Sequence, residues 1–130
     1  RRSEGEVLVP AYTPEDGLLG MKTLLGRDSS LSAVFAITDE LAIGALRALH
    51  EAKIRVPDDI SVIGFDDIDI SGYVEPALTT IHQPIVEMGE RTAELVCSLI
   101  AEGKGEHLKV VLPHRLVERE SVANANHLQF

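Results

Sequence analysis

Two carboxylates stand together at Asp66-Asp67, directly after the apolar run Ile60-Ser61-Val62-Ile63-Gly64-Phe65. An ionised carboxylate in that position can accept two hydroxyl hydrogen bonds and so read a vicinal diol. Paired acids behind a strand also serve as a Mg²⁺ site in phosphoacceptor domains, or cap the next helix. The two residues alone do not choose among these roles. Tyr12 follows another apolar run, where its ring can cover the apolar face of a sugar or base, or simply fill a core or rim position. Thr38 offers a single hydroxyl beside Asp39, whose ordinary task in such a place is to cap a helix.

Other chemistry finds little support. His50, His82, His107, His114 and His127 show neither HxxxH nor HExxH spacing, so no metal site is expected. GxSxG, GxGxxG and P-loop patterns are missing, and Ser61 lies in an apolar strand without a neighbouring histidine. Neither an enzyme nor a cofactor is therefore expected. The single cysteine, Cys97, falls within a helical pattern without a partner for a disulfide or a CxxC site. It reads as packing and favours a reducing compartment, hence the cytoplasm.

The elements that must position these residues follow from the pattern. Glu6-Val7-Leu8-Val9 reads as a short strand stopped by Pro10, and Thr13-Pro14-Glu15-Asp16 as a helix start. Thr13 can cap, Pro14 suits the first turn, and the acids oppose the positive end of the helix dipole. Gly26 is the expected stop. Ala33-Val34-Phe35-Ala36-Ile37 reads as a strand buried on both faces, and a helix runs from Asp39 to about Ala52. The apolar residues of that helix spread beyond one stripe, so one side should meet a sheet and the other a partner. Ile60 to Phe65 makes a third strand, and the three argue for parallel βαβ units. Pro10 to Tyr12, Thr38-Asp39 and Asp66-Asp67 should then share the carboxyl edge, where open α/β sheets bind ligands. Beyond it, Leu78 to Ile81 is β-prone, Gln83-Pro84 opens a long helix, and Val110-Val111-Leu112 and Leu116-Val117 are further strand candidates.

With 130 residues, the chain suffices for one domain or a piece of one, expected at 1–122 with a loose tail at 123–130. It begins at Arg1 without an initiator Met, as a piece of a longer protein would. The net charge is −9 and the twelve Lys and Arg residues are scattered, so no basic stripe neutralises a row of phosphates. Nucleic acid is not an expected partner of this piece alone. No apolar run approaches the roughly 18 residues of a membrane span, and no signal-peptide order is seen.

The stretches AVFAITDELAIGALRAL (33–49), VPDDISVIGFDD (56–67) and PALTTIHQPIVEMG (76–89), closed by LPHRLVERES (112–121), resemble in order the LacI/GalR family of transcription regulators. The resemblance runs from about Ala11 to Ser121. It implies an α/β fold of the periplasmic-binding-protein type (type I), built on a parallel sheet. Glu6 to about Thr80 would lie in the carboxy-terminal lobe, and about Ile81 to Val111 would cross into the amino-terminal lobe. The helix-turn-helix domain that binds operator DNA, and most of the amino-terminal lobe, would lie outside these residues.

By the same resemblance, Tyr12, Thr38 and Asp66 would line an interlobe cleft that binds a small sugar-like effector. Thr38 stands where the family usually has Asn, a departure that points to a different effector. The arginine that family members use to grip the effector has no counterpart here. A homodimer would form through the carboxy-terminal lobe, with Leu41, Ala45, Ala48, Tyr73 and Val74 at the interface. The main alternative is a periplasmic sugar-binding protein of a transporter, which shares the fold and the cleft; a weaker one is a flavodoxin-like phosphoacceptor or enzyme domain. The motif at 76–89 and the RLVERES ending favour the regulator.

Overall fold

A computed structural model describes residues 5–102 and 109–124. Helix α1 (Pro14–Arg27) starts as its sequence dictates, with the Thr13 hydroxyl accepting the Asp16 amide at 3.2 Å and Glu15 and Asp16 in the first turn. It runs through Gly26 and closes one residue later. Helix α2 (Asp39–Glu51) is capped by Thr38, whose hydroxyl accepts the Leu41 amide at 3.3 Å. The expected cap, Asp39, instead turns inward and is fully buried.

The two helices cross at backbone contact. A Cβ on Gly17 would overlap the Leu41 carbonyl, and one on Gly44 would overlap that of Pro14, so only glycine permits the approach. Around the crossing, Met21, Leu41, Leu46, Leu49, Ile60, Val62 and Leu78 form the core. Each large side chain so buried contributes about 1.5–3 kcal/mol.

The crossing corrects part of the expected dimer interface. Leu41, Ala45 and Ala48 are 7%, 4% and 1% exposed, inside this chain's own core. Helix α2 is indeed covered on two sides, but its second partner is α1. Of the five residues, Tyr73 stays exposed and Val74 is half-buried against the core.

Strand β1 (Ala33–Phe35) pairs in parallel with β2 (Ser61–Ile63), Ala33 opposite Ser61 and Phe35 opposite Ile63. The turn leading into β2 is fixed by Arg55, whose hydrogen bonds hold the Asp59 carboxyl down at about 2. The far edge of β2 is covered. The Gly64 amide donates to Thr79, Asp66 to Ile81 and Val62 to Ser121, at 3.0, 2.9 and 2.8 Å. Strand β3 (Thr80–His82) pairs antiparallel with β4 (Arg115–Val117), the last pair being His82 with Arg115.

Two expected strands do not form. Residues 6–9 carry no ladder, because no paired backbone lies beside them. Among the described residues Val110-Val111-Leu112 also has no strand partner, and the pairing falls on 115–117. The mixed α/β character, with a parallel ladder reached through helices, is as the sequence implies.

Helix α3 (Ile85–Glu102) follows Gln83-Pro84 and projects from this body. Ile85, Val86 and Ile100 along it are exposed, as are Val110 and Val111. Cys97 is also exposed, which corrects its reading as a packed residue: the helix face it occupies has no core to meet in these residues. Of the tail at 123–130, the Ala123 amide donates to Ser61 Oγ at 3.2 Å, and residues 125–130 lie outside the described part. No helix among the described residues is long and apolar enough to cross a membrane.

Candidate functional site

Because Phe35 is paired with Ile63, the residues three positions further on, Thr38 and Asp66, leave the sheet at the same carboxyl edge. Their loops are tied together by Asp39. Its amide donates to the Phe65 carbonyl at 2.8 Å. Its buried carboxylate accepts the Ile68 amide at 3.0 Å, the Ser71 hydroxyl at 2.6 Å and the Thr80 hydroxyl. Gly64 makes room, since a Cβ there would overlap Asp39 Oδ1. One carboxylate thus pins the exit of β2, the 3₁₀ turn at Asp69–Gly72 and the start of β3.

The next two residues adopt backbone conformations that L-residues rarely take, with φ of 122° at Asp66 and 57° at Asp67. Such strain costs on the order of 1–3 kcal/mol per residue and persists only where the surroundings over-determine it. Here they do. Asp66 Oδ1 accepts Gln83 Nε2 at 2.6 Å, and its Oδ2 has no partner among the described residues. Asp67 Oδ1 accepts Arg119 Nη2 at 2.6 Å and its Oδ2 lies 2.9 Å from His82 Nδ1. Burial pushes the Asp67 carboxyl up, but the Arg119 and His82 hydrogen bonds outweigh it and hold the group below the usual carboxylate value. Arg119 is itself anchored, donating from Nη1 to the Leu78 carbonyl at 2.8 Å. Both oxygens of Asp67 are thus engaged within the chain, while Asp66 has one oxygen without a partner among the described residues.

Asp66 opens onto a cleft of about 820 Å³ between the strand ends and α3. Asp69, His82 and Gln83 share its wall, with Glu87, Glu90 and Arg91 of α3 opposite. Tyr12, 60% exposed, lies on a different cavity beside Phe35 and Ile37, and Thr38 lines neither. The carboxyl edge thus carries Thr38 and Asp66, while the cleft itself gathers Asp66, Gln83 and His82. Among the described residues, no group of three His, Cys, Asp or Glu side chains is placed to hold a metal ion. The cleft is anionic and rich in acceptors, suited to hydroxyl groups.

Sequence reasoning missed Gln83, which entered only as a helix opener, and the anchoring roles of Asp39 and Arg119. Their partners lie 17 to 52 residues away, so no local spacing signals them.

A strand-edge carboxylate facing a helix across an open cleft is the arrangement in which open α/β sheets hold ligands. The periplasmic binding protein-like domain matches residues 6–122. The repressor PurR of Salmonella paratyphi B is 41% identical over 113 residues, 87% of this chain and 33% of that one. Among solved structures, the regulator CelR in complex with cellobiose superimposes with a TM-score of 0.85 at 35% identity, over 93% of this chain and 37% of its own. A LacI-family regulator from Enterococcus faecium with bound ribose gives 0.77 at 41% identity, over 90% and 43%. The chain belongs to the periplasmic binding protein-like domain family, in the form carried by LacI/GalR-type regulators. It spans about a third of the length of the curated relatives it matches.

Proposed function

We propose that this chain is the carboxy-terminal part of the effector domain of a DNA-binding repressor, sensing a small sugar-like molecule in the cleft between its lobes. The observation that carries the reading is Asp66. Strained, clamped by Gln83 on one oxygen and open on the other, its carboxylate is set at the strand edge to accept ligand hydroxyls. Thr38 on the same edge, and Tyr12 on the neighbouring loop, complete the proposed effector-facing set. Residues of α3 form the facing wall, and the rest of the full-length protein would complete the enclosure. Ribose and cellobiose bound to the relatives named above support a polyhydroxylated ligand here.

Binding would favour one orientation of the lobes by its differential affinity for that orientation, and so alter operator binding through a helix-turn-helix domain outside these residues. The protein acts in the cytoplasm as a homodimer, with Tyr73 and Val74 at the contact. The relatives reported above are regulators, which favours this reading over a transporter's sugar-binding protein. The test uses the full-length polypeptide, with operator binding followed by fluorescence anisotropy against a panel containing ribose and cellobiose. Asp66→Ala should raise the concentration of the active sugar needed for the response by at least about tenfold, since loss of a hydrogen bond to a charged group costs about 1.5–3 kcal/mol, while leaving sugar-free operator affinity within about twofold. An undiminished response in this variant refutes the assignment.

A further inference from the structure

We infer that His82 is a second ligand-reading residue of the cleft and makes its affinity depend on protons. Held by Asp67 in one tautomer, the neutral ring presents Nε2 as an acceptor beside Asp66, and the two together read a pair of adjacent ligand hydroxyls. The inference rests on the effector reading of the same cleft and adds a proton dependence to it.

The backbone sets the placement. The Asp66 amide donates to the Ile81 carbonyl at 2.9 Å, and an isolated parallel bridge puts Asp66 beside His82, so both residues line the same cleft wall. Gln83 takes Asp66 Oδ1 and leaves Oδ2 open. Arg119 takes Asp67 Oδ1, and His82 Nδ1 lies 2.9 Å from Asp67 Oδ2. An ionised carboxylate only accepts, so the hydrogen between those two atoms belongs to Nδ1, and a neutral ring so held carries a bare Nε2. That nitrogen has no partner among the described residues, and 37% of the side chain is exposed. Asp66 Oδ2 and His82 Nε2 are thus two open acceptors on neighbouring residues, a match for two hydroxyls on neighbouring carbons.

Protonation reverses one of the two. The imidazolium donates from both nitrogens, so the second ligand hydroxyl loses its acceptor. Binding therefore favours the neutral ring: affinity is full above the ordinary histidine range and falls as the pH drops through about 8 to 5. The charges around the ring are Asp66 and Asp67 beside it, Asp69 of the 3₁₀ turn, Arg115 opposite on β4, Arg119 behind Asp67, and Glu87, Glu90 and the Arg91–Glu94 pair across the cleft. Carboxylates ordinarily titrate near pH 4 and arginine above about 12, which leaves the histidine as the member of this set that changes charge in that window.

The test uses the full-length polypeptide, titrated calorimetrically with ribose and with cellobiose at two pH values, about 8 and about 5.5, on either side of most of the histidine range. Nitrogen NMR of the histidine rings accompanies it, with His82→Gln identifying the His82 signals. In the parent, the sugar that binds should bind about three- to tenfold more weakly at the lower pH, the worth of one ordinary hydrogen bond. His82→Gln, whose amide does not titrate, should bring the two affinities together. In Asp67→Asn, Arg119 keeps the amide oxygen and the amide nitrogen faces Nδ1, which moves the ring's proton to Nε2. This variant should bind as weakly at the higher pH as the parent does at the lower, and its spectrum should show the moved proton. A His82 with only a structural role would lower the melting temperature in both variants without moving the ratio of affinities. A ratio unchanged by His82→Gln, or a neutral parent ring with its proton on Nε2, overturns the inference. If Asp66→Ala weakens the sugar response while His82→Gln leaves the ratio intact, the effector reading stands and this inference falls; if the parent binds neither sugar, both fall.

Discussion

Replacing Asp39 tests the reading of the carboxyl edge most severely. The side chain is fully buried and is the acceptor for the Ile68 amide and the Ser71 and Thr80 hydroxyls. Asp39→Ala leaves these three donors without an acceptor in a site closed to bulk water. Ser71 and Thr80 are themselves fully buried, so rotating their hydroxyls finds no solvent. At about 1–3 kcal/mol for each orphaned group, and with one hydroxyl recovering a partner by rotation, the loss comes to about 2–6 kcal/mol. Small domains hold only about 5–15 kcal/mol in total, so the variant should be marginally folded or unfolded. Asp39→Asn keeps one oxygen for Ile68 and Ser71 and turns its amide on the Thr80 oxygen, which can accept. It should cost about 1–3 kcal/mol. Urea unfolding followed by circular dichroism measures both. If Asp39→Ala costs less than about 1 kcal/mol, the carboxylate is not the tie between β2, the 3₁₀ turn and β3, and the reasoning is wrong.

Other expectations concern charge and assembly. The folded Asp67 carboxyl lies below its ordinary value of 3.8, so the stability it contributes is present above that pH and is lost as the pH falls through the folded value. Thermal unfolding of the parent chain should therefore drop more steeply below about pH 4 than that of Asp67→Asn; parallel curves would contradict the Arg119–Asp67–His82 arrangement. Tyr73 is 84% exposed and is the most accessible of the proposed interface residues. In the full-length polypeptide, Tyr73→Arg should weaken a dimer by at least about tenfold in sedimentation, because burying an unpaired charge in an interface costs more than 1.4 kcal/mol. Unchanged association would remove Tyr73 from the contact.

Much of this was legible in the chain because it is local. Thr13, Pro14, Glu15 and Asp16 announce α1 within four residues, and α2 and α3 follow from their starts and apolar spacing. The place of Asp66 at the carboxyl edge was legible from the apolar strand before it. What failed was what depends on distant neighbours. At Thr38-Asp39 either side chain can cap, and the choice is settled by Ile68, Ser71 and Thr80, which draw the acid inward. The apolar surround of α2 correctly signalled two covers but could not say that α1 was one of them. Residues 6–9 have a strand's composition, yet a strand exists only where another backbone lies alongside. Cys97 has a core residue's chemistry on a helix whose apolar residues have little of this chain to pack on.

The pairing of His82 with Arg115 has a mechanical consequence. The chain leaves the α1–α2 body at one of these residues and re-enters at the other, so α3 is carried on a two-stranded strap. The glycine-tight crossing of α1 and α2 makes the body a stiff base, while α3, with 18 residues, is an arm of about 27 Å. Tilting the strap by about 10° would swing the far end of that arm by about 5 Å, given this length. The Asp66–Gln83 hydrogen bond sits at the fulcrum. A molecule held on the open oxygen of Asp66 would act beside that bond, where the least displacement at the ligand is geared into the most travel at the other end.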